Sequence, residues 1–469
     1  MSQGAASIAE QLRAAAQLVY GGRFLQAEAS ARQVLARQPR NAEAHYVLAL
    51  SAMFQNRHAE ALPPVDRAIS LDGANAQYPF VRGLCLAGAG RLDEAVAAYR
   101  RALALRPAFF EAWANLGNLL EKARRFSEAR DAYGAALKLR PADPLVLHGL
   151  GMCHLAGSDL PRAAEAFQQA VAADPGQATT RNNLGHTLGK LGQYDAAIAQ
   201  GTEAVRLRPD YFEAWLNLGE VCFKAGRDSA AVAALDRALA LDPGNGGLQH
   251  LRDSIAGVQT GRAPDDYIRS VFDRSAADFD RHLVGDLEYR TPQKMAQFLA
   301  PWLAGREGTL RIEDLGCGTG LSGVVLKPYA ARMAGVDLSE QMLVRARSRG
   351  LYDSLHEAEI AAYLDGRPAG GCDLAAAMDV FVYLGDLREV FRAVTRALAP
   401  AGLFAFSVER LEGDEPFCLA RSGRYAHSAA YLRSLAADNG LVEWKIEEAA
   451  LRKESGAPVI GLLAAFTKS

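Results

Sequence analysis

The feature that most constrains this chain is a period. Alanine recurs every 34 positions as Ala27, Ala61, Ala95, Ala129, Ala163, Ala197 and Ala231. The same spacing carries Pro39, Gly73, Pro107, Pro141, Pro175, Pro209 and Pro243. Seven consecutive units follow without insertion: 8–41, 42–75, 76–109, 110–143, 144–177, 178–211 and 212–245. The string Phe-Glu-Ala-Trp-Ala-Asn-Leu-Gly at 110–117 returns nearly unchanged at 212–219 as Phe-Glu-Ala-Trp-Leu-Asn-Leu-Gly. Small residues (Gly117, Ala129, Ala136) let two antiparallel helices approach, and large ones (Trp113, Tyr133) fill the space beside them. Proline ends the second helix because it has no N–H to donate. Each pair must bury its remaining apolar face on its neighbour, which predicts an all-α solenoid.

Taken in order, Trp, Leu-Gly, Ala, Phe/Tyr, Ala and Pro resemble the tetratricopeptide (TPR) repeat. Residues 8–245 are then the repeat array, 1–7 an N-terminal tail, and 246–262 a capping helix and linker. The sixth position of the unit holds Asn115, Asn183 and Asn217, with Gly149 breaking the series. The resemblance puts that position on the groove, as in the array of O-linked N-acetylglucosamine transferases. A side-chain amide both donates and accepts, so these three asparagines are candidate contacts for a protein or peptide partner. The alternative is that Asn-Leu-Gly is only repeat consensus. His148, His154 and His186 fall in different phases of the unit and read as surface or packing residues. No metal site is expected.

The second half is organised around Arg-Ile-Glu-Asp-Leu-Gly-Cys-Gly-Thr-Gly at 311–320. An apolar run ends in Asp314, glycines alternate, and a helical pattern starts at Leu321. Strand, glycine turn and helix N-terminus together form a nucleotide-binding loop. The string also fits the dinucleotide pattern G-x-G-x-x-G. A pyrophosphate beside Asp314 would meet a like charge, a repulsion of about 4 kcal/mol at contact with an effective dielectric near 20. S-adenosylmethionine (SAM) carries an ammonium and a sulfonium instead. The motif resembles that of class I SAM-dependent methyltransferases, with Glu313 replacing a more usual apolar or small residue.

That resemblance implies a Rossmann-like α/β domain over 263–469 with SAM as cofactor. Asp314, Gly316, Cys317, Gly318 and Gly320 form its first motif. Asp337, 23 residues beyond Asp314 at the end of a second strand, is placed to accept from both ribose hydroxyls. Leu338 and Met342 are expected against adenine, Glu359 and Ile360 in the third motif, and Asp379 near the methyl donor. Phe272-Asp273 and Phe279-Asp280 resemble the helical segment that folds over the cofactor in small-molecule methyltransferases; an amphipathic helix packed on the core is the plainer reading.

Around the acceptor, Phe279, Tyr289 and Arg290 are candidate pocket residues. Phe381 and Tyr383 either wall the substrate or pack a strand-to-helix turn. His427, flanked by Tyr425, is the candidate general base because an unperturbed imidazole titrates near neutrality. Asp379 and Tyr383 complete the catalytic candidates, and Arg421 and Arg424 are candidates for a substrate carboxylate. Strands are expected at 403–408, 441–450 and 459–466, in a mostly parallel sheet with an antiparallel last strand.

A formal charge of −2 across 469 residues, with no basic tract, gives no case for nucleic-acid binding. Six scattered cysteines suit a reducing compartment, no apolar run reaches membrane-spanning length, and the start lacks a signal-peptide core, so a cytoplasmic protein is expected. The whole pattern resembles a bacterial group of predicted methyltransferases carrying TPR repeats. Three functions compete: a small-molecule methyltransferase whose repeats recruit a partner or fix oligomeric state, a protein or peptide methyltransferase whose groove delivers the substrate, and a non-catalytic SAM-binding scaffold.

Overall fold

The computed structural model describes residues 7–275, 279–281, 285, 288–454 and 456–469. The chain divides into two compact units, one ending at Ala225 and the other beginning at Gly226.

The first unit consists of paired helices, from Ile8–Tyr20 with Phe24–Arg37 up to Ala178–Lys190 with Tyr194–Leu207, followed by Phe212–Lys224. Every alanine of the period is buried. Helices end where the pattern places them: Leu105 precedes Pro107 by two residues, as Leu139 does Pro141 and Leu207 does Pro209. The small-large pairing is literal, because a Cβ at Gly117 would lie 2.5 Å from the Tyr133 ring. The fourth position of the unit has a second use. Trp113 Nε1 donates to Pro107 O and Trp215 Nε1 to Pro209 O, both at 2.9 Å, and Arg181 Nε reaches Pro175 O at 2.8 Å. These side chains tie the start of these three units to the breaker that precedes each.

The second unit holds the helices Asp228–Leu241 and Gly246–Ala256 and a nine-stranded sheet. The strands are β1 (Leu310–Leu315), β2 (Ala330–Asp337), β3 (Ser354–Glu357), β4 (Cys372–Ala377), β5 (Leu398–Arg410), β6 (Phe417–Leu419), β7 (Tyr425–His427), β8 (Leu441–Glu454) and β9 (Ala457–Lys468). Five run parallel in the order β3-β2-β1-β4-β5. β9 adds antiparallel to β5, and β8 antiparallel to β9. At its far end β5 also pairs with β7, which turns back to β6. The expected antiparallel last strand is present, but β8 and β9 run longer than 441–450 and 459–466.

Phe391, Phe404, Phe406 and Phe466 interlock on one face of the sheet, and the helix Thr291–Leu303 covers the other with Met295 and Leu299. Glu313, the departure from the motif, faces away from Asp314 on its strand. It accepts from Tyr363 Oη at 2.6 Å and Arg367 Nη2 at 3.1 Å, which compensates its burial. Among the described residues, no helix is long and apolar enough to cross a membrane.

Candidate active site

β2 and β4 lie on opposite sides of β1, so the chain leaves β1 in one direction and returns in the other. The crevice beyond the carboxyl ends of these strands is where open α/β sheets take ligands. A cavity of about 310 Å³ sits there, between the loops that follow β1, β2 and β4.

One part of its wall is the glycine loop. Gly316 has φ +69°, and a Cβ there would lie 2.5 Å from Val380, so the turn requires glycine on two counts. Gly318 has φ +54° with open space where a Cβ would project. Its N–H donates to Asp337 Oδ2 at 2.9 Å, and Ser339 N–H donates to Asp337 Oδ1 at 2.9 Å. Each carboxylate oxygen keeps acceptor capacity, and Asp337 lines the cavity. Burial raises its pKa. Gly316, Cys317, Gly318, Leu338, Glu359 and Ile360 share this wall.

Three expected cofactor residues sit behind it instead. Asp314 is 1% exposed and accepts from Ser322 Oγ and Tyr352 Oη, both at 2.6 Å, through Oδ2, while Oδ1 is buried without a partner. Burial raises its pKa to about 6. Asp314 therefore braces the loop from below, because a buried strand end faces the sheet interior. Gly320 caps the helix Leu321–Leu326 in the left-handed region. Met342 is fully buried in the helix Glu340–Ser348.

The other part of the wall is aromatic and charged. Tyr289, Tyr383, Asp379 and Arg424 line it. Phe272 lines it too, edge-on to Tyr383 with centroids 5.4 Å apart. Asp379 has φ +61°, a conformation that costs a non-glycine residue and is held here from two sides. Its N–H donates to Ser407 Oγ at 2.8 Å, and Arg452 Nη1 donates to its Oδ1 at 2.8 Å. Arg452, from the far half of β8, and Arg262, from the segment read as a linker, also line the cavity and were not singled out from sequence.

Several acceptor-side expectations are corrected. His427 is fully buried and off the cavity; its Nε2 donates to Gly385 O at 3.0 Å, and its ring stacks on Tyr431. Burial lowers its pKa to about 4, so it is a neutral core residue and not a base for the acceptor. Tyr425 is likewise buried, its hydroxyl 2.5 Å from Thr260 Oγ1. Phe381 belongs to the aromatic core with Phe404 and Phe406. Arg421 pairs with Asp228, and Arg290 is exposed at the start of the helix Thr291–Leu303. Phe279 opens the short helix Phe279–Arg281, and its side chain lies outside the described residues.

The three groove asparagines are occupied within the array. Asn115 Nδ2 donates to Glu111 O at 2.7 Å, Asn217 Nδ2 to Asn182 Oδ1 at 3.0 Å, and Asn183 Nδ2 lies 3.2 Å from Met152 Sδ.

The tetratricopeptide repeat family matches residues 12–79, 114–178 and 182–246, and a TPR repeat family matches 86–123. A methyltransferase domain family matches 313–406. Among curated relatives, the ubiquinone biosynthesis O-methyltransferase of Bordetella avium is 32% identical over 114 residues, covering 24% of this chain and 46% of that one. The malonyl-[acyl-carrier protein] O-methyltransferase of Salmonella typhimurium is 27% identical over 181 residues, covering 38% and 68%. The chain spans less than half the length of the first curated relatives it matches. Among solved structures, the TPR protein YrrB matches 40% of this chain and 97% of its own at 22% identity, with a TM-score of 0.38. The chain thus joins tetratricopeptide repeats to a methyltransferase domain of the class I type, whose cofactor is S-adenosylmethionine.

Proposed function

We propose that this chain transfers a methyl group from SAM to a small-molecule acceptor bound in the cavity beside Asp379 and Tyr383. The observation that carries the reading is Asp337. Two backbone N–H groups fix its carboxylate at the cavity wall, and its remaining lone pairs suit the paired hydroxyls of a ribose. The open space at Gly318 lets backbone come close to the ligand.

SAM supplies an electrophilic methyl on a sulfonium. The chain's part is position and dryness. Asp337 orients the ribose, Leu338 and Ile360 offer apolar surface, and Phe272, Tyr289 and Tyr383 keep water from the acceptor side. Asp379 stays in place through Ser407 and Arg452. The repeats are the site for a protein partner, a role the TPR family itself suggests. Asn115, Asn183 and Asn217 each have a partner within the array, so their recurrence is accounted for without a peptide substrate.

The test uses methyl-labelled SAM, the purified chain and fractionated bacterial lysate, with Asp337→Ala as the blank. Label in the small-molecule pool, absent from the blank, is the expected result. Label confined to protein would overturn the acceptor class, and no label in any fraction would contradict the activity.

A further inference from the structure

The acceptor side of the cavity carries three guanidinium groups: Arg262 pairs with Asp265, three residues on, and the other two are held differently. Arg452 is 2% exposed and committed on both branches, to Asp379 at 2.8 Å and to Glu409. Arg424 has one close partner, Glu454 Oε2 at 2.8 Å, and that glutamate is 48% exposed at the end of β8; Glu409 lies 3.9 Å away. Arg452 is held mainly by Asp379 and Glu409, with Glu454 Oε2 4.0 Å from its Nη2, whereas the Arg424–Glu454 pair sits at the edge of this network. With Glu454 exposed and Arg424 25% exposed, the pair stays open to solvent on the carboxylate side, so one carboxylate can replace another at small cost.

Arg424 is also rigidly presented. It closes the turn between β6 and β7, where Ala420 N–H donates to Arg424 O at 2.8 Å and Gly423 N–H to Ala420 O at 2.9 Å. The turn is clamped from outside. His250, buried in the helix Gly246–Ala256, donates Nε2–H to Gly423 O at 2.8 Å. Gln259 Oε1 accepts from Leu419 N–H at 2.6 Å, and Thr260 meets Tyr425. Apolar surface on that wall comes from Ile268, Phe272, Val380 and Leu384.

Resting on the methyltransferase reading, we propose that the acceptor is an organic acid with an apolar body, whose carboxylate displaces Glu454 and pairs with Arg424. A planar guanidinium on a fixed turn suits a carboxylate in two-point contact. Glu454 acts as the stand-in that keeps Arg424 paired until the acid arrives. The same guanidinium chemistry would also suit the carboxylate of the cofactor's own methionine, and the test separates the two sources.

The experiment is calorimetry on the full chain, saturated with S-adenosylhomocysteine, titrated with 4-phenylbutyrate, its neutral amide and its amine analogue, and with decanoate and decanamide. Each acid should bind about ten-fold tighter than its amide, the scale of a charge-assisted hydrogen bond. Arg424→Gln should abolish that preference and Arg424→Lys retain part of it. Glu454→Gln should strengthen acid binding, because the competing carboxylate is gone. Unaltered thermal unfolding and S-adenosylhomocysteine affinity in these variants show that the fold is kept. Equal binding of acid and amide, or an acid preference that survives Arg424→Gln, overturns the proposal. So does an Arg424→Gln variant that weakens S-adenosylhomocysteine but not methylthioadenosine, which lacks the amino-acid portion. Failure of the wild type to bind S-adenosylhomocysteine would contradict the methyltransferase reading instead; acid against amide, measured without cofactor, would still decide this one.

Discussion

The repeats and the sheet unit are held by contacts of opposite reach. In the array, Trp113 bonds a carbonyl 6 positions away, Tyr133 a carboxylate 12 away, and Tyr78 one 35 away, one repeat along. In the sheet unit the acceptor wall is closed by Arg452 to Asp379 across 73 positions, Thr260 to Tyr425 across 165, and His250 to Gly423 across 173. Local contacts recur, so each repeat position states its role several times over. Distant contacts occur once, so the wall depends on the whole sheet being in register.

The largest effect that sharpens this contrast belongs to Tyr133→Ala. Tyr133 fills the space above Gly117 and Gly149 and donates to Glu121 at 2.7 Å. Its loss should cost about 3–5 kcal/mol in denaturant unfolding of the array. SAM affinity should not change; a matching fall would show that the sheet unit leans on the repeats.

Next comes Asp314→Asn. Burial pushes the Asp314 carboxyl up to about 6 in the folded chain, against 3.8 for an ordinary aspartate, so the native state binds the extra proton between these values. Stability therefore falls as pH rises through that window, and the ionised carboxylate is a cost at pH 8. Asparagine keeps an acceptor for Ser322 and Tyr352 without the charge. It should raise stability at pH 8 by about 3 kcal/mol and by nothing near pH 3. Equal effects at both pH values would remove the electrostatic explanation.

A smaller change is expected of His250→Ala, which strands the Gly423 carbonyl and should cost about 1–2 kcal/mol. It should also weaken the acid probes while leaving SAM binding alone, since the clamp acts on Arg424. Smallest of all is the combined Asn115→Ala, Asn183→Ala and Asn217→Ala variant, which should stay within about 1 kcal/mol of the parent and label the small-molecule pool at the parental rate.

This contrast also explains what was legible in sequence. The repeat boundaries were, because proline and alanine carry one meaning at each recurrence. The glycine loop and Asp337 were, because strand, turn and acid are neighbours in the chain. The same motif pointed to Asp314 as a ligand, but burial beneath the loop is a property of the sheet, and no residue near 314 announces it. His427 read as a base because an imidazole titrates near neutrality, yet β7 pairs with β5 and draws it inside. Arg452 was hidden by the length of β8: read as part of a connection, it is a strand residue facing the cavity. Residues 257–263, read as a linker, strap the sheet unit, with Gly261 O accepting from Gly385 and Asp386 N–H at 2.9 and 2.8 Å.

The central claim is that Asp337 marks a SAM site. Calorimetric titration of SAM into the full wild-type chain, and into Asp337→Ala, tests it most directly. The expected result is one saturable site in the wild type and a loss of about a hundred-fold in the variant, the scale of two charge-assisted hydrogen bonds. Equal affinity in both proteins, or no binding by the wild type, would contradict it.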